Sequence, residues 1–453
     1  MNDVAVIICN YNKKDYVLDC IESVFKSAFS RFDLIVVDNA STDGSAEAIN
    51  ARFGDKLTLL VNEENTGGSG GFNCGMRLAM DKGCYKYVHL LDNDVIADKD
   101  AIGELYRFME SRPEVGACGS LIYRFDDPTF TQEMGALIDY KNLGYKALYS
   151  KQRNPDPPTE IECDYIAFCS AMLRMESLQK TGLMPVEYFI YWDDMELCWR
   201  IRRFGYKVCA ISDSFVFHHA NAIAPTTTFA RYYYFRNMLN CFVRHLDDHE
   251  FEQLSDLVVE RLYRIFAVNR NNSDLIATYM HSLNDALNGV GGKAAENRIF
   301  QFQSGAVDFF NLFTNTANSL IFLDCDFRHI GDLISGIQKV SNNNITVVTN
   351  GYEAGDHKNI KILHTVDNLD KYELCIQTCS HILDLAEYDH NLVYIDNYWN
   401  SIITQEDFNH YTNFRQGYNF FHATHHQFIK DKLSELRKRV RIISYSQTGE
   451  DNA

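Results

Sequence analysis

Apolar positions along the first 125 residues follow two alternating periods. Val4–Cys9, Leu34–Val37, Leu57–Val61 and Tyr87–Leu91 are short, β-branched or aliphatic runs that predict strands. Between them, Tyr16–Phe25 (with Val17, Ile21, Val24 and Phe25), Gly44–Phe53 and Gly71–Met80 carry apolar residues at helical spacing. Strands alternating with helices of ~10–15 residues build βαβ units, and hence a doubly wound α/β sheet. Ligands of such sheets lie beyond the carboxyl ends of the strands. The residues that follow each strand therefore matter most: Asn10-Tyr11-Asn12, Asp38-Asn39-Ala40-Ser41 and Asp92-Asn93-Asp94.

Further along, the pattern loosens and then changes. Residues 126–162 are irregular and hold Pro128, Pro155, Pro157 and Pro158, which predicts a long excursion from the sheet. Tyr165–Arg174 reads as a strand, Asp193–Phe204 as a helix, and Ser214–Phe217 as a strand that ends at His218-His219. From Phe229 to about Leu287 the period is helical, and Gly289, Gly291 and Gly292 mark a boundary. Strands are then expected at Leu320–Leu323, Thr346–Val348, Leu374–Ile376 and Leu392–Ile395, with a helix at Ile330–Val340. The chain divides into residues 1–228, a helical extension over 229–313, and a smaller α/β unit over 314–453.

Composition narrows the function classes. In 453 residues, 46% are hydrophobic and 23% charged, which excludes a largely disordered chain. Lysine plus arginine number 43 against 61 acidic residues, and a net charge of −18 argues against a nucleic-acid partner. A polyanionic small ligand stays open, because a metal ion can supply the missing positive charge. Thirteen cysteines, odd in number and never spaced C-x-x-C, fit reduced thiols of the cytosol better than a disulfide framework or a zinc knuckle. The first residues do not form a signal peptide, and no apolar run reaches the ~18–20 residues that cross a bilayer. A soluble, intracellular protein is expected.

Five segments carry candidate chemistry. Asp92-Asn93-Asp94 ends a strand, where two carboxylates in i, i+2 positions can converge on a hard divalent cation; a polar, helix-capping loop is the plainer reading. Asp324-Cys325-Asp326 repeats the pattern without supporting context and is taken as a loop. Asp38 ends another strand, with Ser41 or Asp43 available as helix caps, and can accept the imide N–H of a pyrimidine base. Asn65-Thr66-Gly67-Gly68-Ser69-Gly70-Gly71 lets backbone approach a ligand before a helix N-terminus, but no Gly-Lys-Ser/Thr follows. Tyr191-Trp192-Asp193-Asp194-Met195-Glu196 gathers three acids in one turn beside a large aromatic, suiting a sugar cleft with one carboxylate as base. His218 or His219 at a strand end can complete a metal shell.

In this order the segments resemble glycosyltransferase family 2, over about residues 3–297. The branch of bacterial rhamnosyltransferases and galactofuranosyltransferases is similar in two further stretches, Arg231-Tyr232-Tyr233-Tyr234-Phe235-Arg236-Asn237 and Asp285-Ala286-Leu287-Asn288-Gly289-Val290-Gly291-Gly292. The resemblance implies a GT-A type, doubly wound mixed sheet. It implies nucleotide contacts from Asn10, Tyr11, Asn12, Asp38, Gly67, Gly68 and Asp92, and a metal shell of Asp92, Asp94 and His218 holding Mn²⁺ or Mg²⁺, with His219 as the alternative imidazole. Asp194 is implied as catalytic base, with Trp192, Asp193 and Glu196 binding the acceptor. The branch often has Glu-Asp where this chain has Asp193-Asp194, and the shorter first acid is nearer the galactofuranosyltransferase version.

The implied reaction is an inverting transfer from a UDP- or dTDP-sugar to the hydroxyl of a free or lipid-linked saccharide in bacterial cell-surface polysaccharide synthesis. Peripheral membrane association and a homo-oligomer are compatible with it. A nucleotidyltransferase and a non-catalytic carbohydrate-binding scaffold are the competing classes. The first typically needs basic residues at its triphosphate, which Gly67–Asn73 lacks; the second can dispense with acids that are all present here. In the last unit, His422, His425 and His426 share a helix face by spacing but have no acid or cysteine nearby in sequence, so oligomerisation or acceptor positioning is the expected role of that unit.

Overall fold

The computed structural model describes residues 2–448 apart from 151, 220–226, 270–271, 302–308, 323–336, 338–339, 341, 343, 349–354, 358–359, 380–386 and 397–401. Asp324-Cys325-Asp326, Leu323 and most of the helix expected at 330–340 fall outside them.

The N-terminal sheet is built from β1 (Val4–Asn10), β2 (Phe32–Asp38), β3 (Thr58–Val61), β4 (Tyr87–Asp92), β5 (Val95–Ala97), β6 (Val115–Arg124), β7 (Thr131–Glu133), β10 (Glu160–Cys163), β11 (Ser170–Arg174) and β12 (Lys207–His218), with β8 (Ala136–Asp139) and β9 (Gly144–Ala147) forming a separate hairpin. Its order is β10-β12-β6-β11-β4-β1-β2-β3, with β5 on β12 and β7 on β6. Strands β3, β2, β1 and β4 are parallel, and β11 enters antiparallel between β4 and β6. The sheet is therefore mixed, as expected. Strand β1 shows why its sequence is continuously apolar: Val4, Val6 and Ile8 pack on Val17, Ile21 and Val24 of α1 (Lys14–Phe25), while Ala5 and Ile7 face Phe72, Met76 and Ala79 of α3 (Gly67–Lys82). Both faces are buried, so the period-2 signal disappears.

Helices α2 (Ser45–Phe53), α4 (Ala101–Ser111), α5 (Met175–Thr181) and α6 (Asp193–Arg203) complete this unit. The hydrophobic pattern assigned nothing to α4 or β6. Strand β6 is rich in small residues because Gly116 and Gly119 lie hard against Ile201 and Ile166, where a Cβ would stand 2.7 and 2.9 Å from the nearest side-chain atom. The 126–162 excursion contains β7 to β10, and the strand expected at Tyr165–Arg174 begins only at Ser170.

The helical stretch is α7 (Phe229–His245), α8 (Asp248–Val268) and α9 (Ser273–Leu287). Strands β13 (Asn318–Phe322), β14 (Asn344–Val348), β15 (Gly355–His357), β16 (Ile360–Leu363), β17 (Leu374–Cys379), β18 (Val393–Asp396) and β19 (Ile402–Ile403) form a second sheet with its own core of Phe313, Ile321, Ile345, Val347, Ile360, Ile376 and Ile395. After α10 (Gln405–Gln416), the long α11 (Tyr418–Thr448) leaves that core. Its Ile429, Leu433, Leu436 and Val440 join the core of the N-terminal unit, and Arg437 Nη2 donates to Leu246 O at 2.9 Å and to Asp248 Oδ1 at 2.8 Å.

Candidate active site

Sheet register assembles the first corner of the site. Asp92 ends β4, Asp94 precedes β5, and β5 runs antiparallel to β12 with Val95 opposite His218. Potential metal-donor atoms of Asp92, Asp94 and His218 consequently lie within 4.8 Å of one another, and His218 Nε2 is 3.3 Å from Asp94 Oδ1. His218 Nδ1 is 2.9 Å from Gln132 Oε1, a carbonyl that fixes the ring and its tautomer. The Lys13 ammonium pairs with Asp94 Oδ2, so a cation already sits on this carboxylate. Two carboxylates and one imidazole fit Mn²⁺ or Mg²⁺. His219 is turned elsewhere, against the rings of Tyr16 and Phe125.

The second corner is a strained loop held by a buried arginine. Phe189, Tyr191 and Trp192 have φ of 67°, 64° and 68°, left-handed values that aromatic residues rarely adopt. Fully buried Arg236 donates to the carbonyls of Glu187 (3.2 Å), Tyr188 (3.0 Å) and Gly292 (2.9 Å). Asn237 Nδ2 donates to those of Tyr188, Ile190 and Tyr191, at 2.8, 2.8 and 2.9 Å. Asp285 Oδ2 accepts from Tyr232 Oη at 2.6 Å, and a Cβ on Gly291 would stand 2.6 Å from Glu187 Cβ. Of the glycines read as a boundary, Gly291 by close packing and Gly292 by its backbone hydrogen bonds with Glu187 and Arg236 buttress the loop. Through Arg236, Asn237 and Gly292 both sequence stretches hold the loop that leads into α6.

The glycine-rich segment also differs from expectation. Gly67 to Gly71 form the first turn of α3, and the glycines make room for protein. A Cβ on Gly67 (φ 75°) would lie 2.0 Å from Phe189 O, and one on Gly71 2.2 Å from Cys9 Sγ. Only Gly68 faces open space of the expected kind, with Phe189 O at 4.0 Å. Asn39, quoted in the motif but assigned no role, ties this turn to β2: its Oδ1 accepts from Asn62, Thr66 N and Thr66 Oγ1, and its Nδ2 donates to Gly67 O at 2.9 Å.

Asp38 does not present a free edge to a base. It is 1% exposed, and its oxygens accept from Asn10 Nδ2 at 3.1 Å and Ser41 N at 2.9 Å. Asn10 Oδ1 in turn accepts from Asn93 Nδ2 at 2.8 Å, so Asp38 braces the strand ends. Tyr11 and Asn12 stand outside this brace, with the Tyr11 ring exposed.

Acids at the start of α6 split into distinct roles. Asp193 is buried and accepts from Ser69 Oγ at 2.8 Å; Asp194 is half-buried and accepts from Tyr165 Oη at 3.1 Å. Burial and then the charge of Asp193 raise the pKa of Asp194 well above the carboxylate range. Glu196 behaves oppositely. Burial alone would raise it, yet Arg200, His245 and Arg244 hold it well below the usual value. At 0% exposure, with Arg200 Nη2 at 2.7 Å and Arg244 Nη1 at 3.1 Å, it cannot meet an acceptor as expected; it locks α6 to α7. Trp192 is likewise 4% exposed and packs on Tyr145, Tyr234 and Phe242, so Tyr191 is the exposed aromatic at this point.

Charges link the two corners. Burial and the charge of Asp94 push Asp92 up to about 6, and Asp193 adds to the same rise. Against burial, His218 and Lys13 lower Asp94. Burial lowers His218, but its hydrogen bond to Asp94 and that charge raise it overall. One corner thus brings two carboxylates and an imidazole together, and the other presents an acid whose proton affinity is raised.

Residues 5–182 match the family model described as glycosyl transferase family 2. The chain is 30% identical over 202 residues to a UDP-Glc:alpha-D-GlcNAc-diphosphoundecaprenol beta-1,3-glucosyltransferase of Escherichia coli, covering 42% of this chain and 78% of that one. It is 24% identical over 270 residues to a low-salt glycan biosynthesis hexosyltransferase of Haloferax volcanii, covering 57% and 82%. A galactofuranosyltransferase of Mycolicibacterium smegmatis is 25% identical over 224 residues, covering 45% of this chain and 34% of its own length. The chain belongs to glycosyl transferase family 2: it is a glycosyltransferase, and its mixed N-terminal sheet is of the GT-A type.

Proposed function

We propose that the protein transfers a hexosyl group, with inversion, from a UDP- or dTDP-sugar to a saccharide hydroxyl during surface-glycan synthesis, with galactofuranose or rhamnose as the favoured donor sugar. Relatives named as a galactofuranosyltransferase and as a glucosyltransferase acting on a diphosphoundecaprenol-linked sugar support this class of donor and a lipid-linked acceptor. A peripheral place at the membrane follows from such an acceptor; no helix of the described residues is long and apolar enough to cross a bilayer. Residues 1–228 would carry donor and acceptor chemistry, 229–313 the buttress, and 314–453 acceptor positioning or self-association.

Two observations support the reading: burial and Asp193 raise the proton affinity of Asp194, and Asp92, Asp94 and His218 converge at the strand ends. In this reading Asp194 faces the cleft between them. A divalent Mn²⁺ or Mg²⁺ held by Asp94 and His218, with Asp92 beside it, would neutralise the leaving diphosphate. Asp194 takes the proton of the attacking hydroxyl, Tyr165 orients its carboxylate, and Asp193 and Tyr191 border the acceptor. Tyr11, Asn12 and Gly68 border the nucleotide, with Asn10 and Asp38 bracing them.

A panel of UDP-, dTDP- and GDP-sugars, read by release of free nucleoside diphosphate, tests the assignment. Asp194→Asn should lower kcat by ~10²-fold or more with donor KM nearly unchanged, since base catalysis contributes ~10²–10⁴-fold. Normal turnover in Asp194→Asn together with a dead Asp193→Asn would move the base to Asp193. Release of pyrophosphate would place the protein among nucleotidyltransferases.

A further inference from the structure

The histidines of α11 acquire in three dimensions the acid that the sequence around them lacks. Asp256 of α8 brings Oδ1 to 2.6 Å from His422 Nε2 and 3.3 Å from His426 Nε2. These atoms all lie within 4.8 Å of one another. The two imidazoles are one helical turn apart and stacked, centroids 4.5 Å apart with 18° between planes. His425 is excluded: its Nδ1 is 2.8 Å from Phe421 O and its ring stacks on Phe421. Ser255 Oγ, 2.9 Å from His426 Nε2, adds a hydroxyl at the rim.

We propose that Asp256, His422 and His426 form a second divalent-metal site, of the zinc type, that fastens α11 to α8. Tetrahedral bonds of ~2.0–2.1 Å set neighbouring donor atoms ~3.3 Å apart, so the His426–Asp256 pair is already at that spacing. The closer His422 pair has to open by under ~1 Å once its shared proton leaves. Two imidazoles and one carboxylate favour Zn²⁺ over Mg²⁺, whereas the catalytic corner is richer in oxygen. Asp256 is 55% exposed on its side chain, which leaves an entry path and room for a water as fourth ligand. Below the site, Ile429, Leu433 and Leu436 already dock α11, so the metal would secure the N-terminal half of the helix.

Zn²⁺ titration of the full-length protein by calorimetry, alongside thermal unfolding and Co²⁺ absorption, reads this site apart from catalysis. The His422→Asn/His426→Asn variant should lose one equivalent of tight Zn²⁺, binding it at least ~30-fold more weakly, and lose part of the Zn²⁺-induced rise in Tm. That equivalent should survive in Asp94→Ala and in His425→Ala. Zn²⁺ affinity within threefold of wild type in the double variant, or an equal loss in His425→Ala, would overturn the proposal. If the double variant fails to fold, Asp256→Asn at its exposed position carries the same test with the same two outcomes.

Discussion

Asp92–Asp94–His218 and Asp256–His422–His426 draw on the same two residue types in inverse proportion and are built by opposite means. The first forms at strand ends, where hydrogen-bond register dictates neighbours: once β5 pairs with β12, Asp94 must face His218. The second forms where two helices dock, 166 residues apart in sequence, and depends on side chains along their faces. Burial separates their consequences. At the strand ends it pushes Asp92 up, while His218 and Lys13 hold Asp94 down against it, which gives the corner chemical character. In the helical cluster Asp256 is exposed and the two imidazoles are only partly buried, which suits holding rather than reacting.

Removing one acid from each cluster should break the symmetry most sharply. Asp94→Ala is expected to cut transfer by roughly 10³-fold or more, because charge stabilisation at a leaving group is worth several kcal/mol. Asp256→Ala should leave transfer within about twofold, as expected of a surface substitution away from the cleft. Initial rates under saturating donor decide it. Comparable losses in both variants would show that the helical cluster serves catalysis.

Strand ends were the legible part of this protein. Asn10, Asp38, Asp92, Asp94 and His218 could be placed at one edge from hydrophobic runs alone, because a doubly wound sheet leaves no other location for them. Whether a residue faces the cleft or braces it was not legible. Asp38, Trp192 and Glu196 stand in the expected elements, yet each is buried by partners distant in sequence: Asn10, Phe242 and Arg244 respectively. Glycines misled in a similar way, since close packing against Phe189 and Cys9 demands the same residue as close approach of a ligand. Docking of α11 on α8 was invisible because an amphipathic helix does not record which surface it covers.

Second contacts of His218 offer a finer cut. Gln132 lies in the excursion read as irregular, and its carbonyl is the fixed acceptor for Nδ1. Partners of metal-binding histidines typically contribute 10–100-fold to metal affinity or activity, so Gln132→Ala should lower both by about that factor. Gln132→Glu should restore them. Metal titration of each variant checks this; an unchanged affinity in Gln132→Ala would make the contact incidental.

At Asp92, acidification should act on metal binding and on the fold in opposite senses. Asp92 has its pKa raised to about 6, so below that pH a proton competes with the metal, and affinity should fall by up to ~tenfold per unit. For the metal-free fold, the raised group binds a proton that the unfolded chain does not. Its stabilising contribution is fully present below the unfolded value and is lost as pH rises through about 6. The lowered Asp94 contributes the other way, stabilising above its unfolded value and losing that effect as pH falls through its folded one. Metal titrations at about pH 5 and about pH 7 should differ accordingly; equal affinities would place Asp92 outside the shell.

The smallest effect, and the most specific to the catalytic corner, concerns Lys13. Its ammonium pairs with Asp94 Oδ2 from a position 44% exposed on the side chain, so the pair is largely solvated. A pair of that kind is worth ~0.2–1 kcal/mol, and a metal that takes the same oxygen has to displace it. Lys13→Met should therefore tighten metal binding by about 1.5- to 5-fold in the absence of donor. With the nucleotide sugar present the sign should reverse: a lysine released from Asp94 stands beside the strand ends, where it can meet the diphosphate, and its loss should raise donor KM by a similar factor. Measuring metal affinity and donor KM in one variant separates the two roles. If Lys13→Met weakens the metal as well, the ammonium organises Asp94 instead of competing for it, and the corner is preset by the chain before any metal arrives.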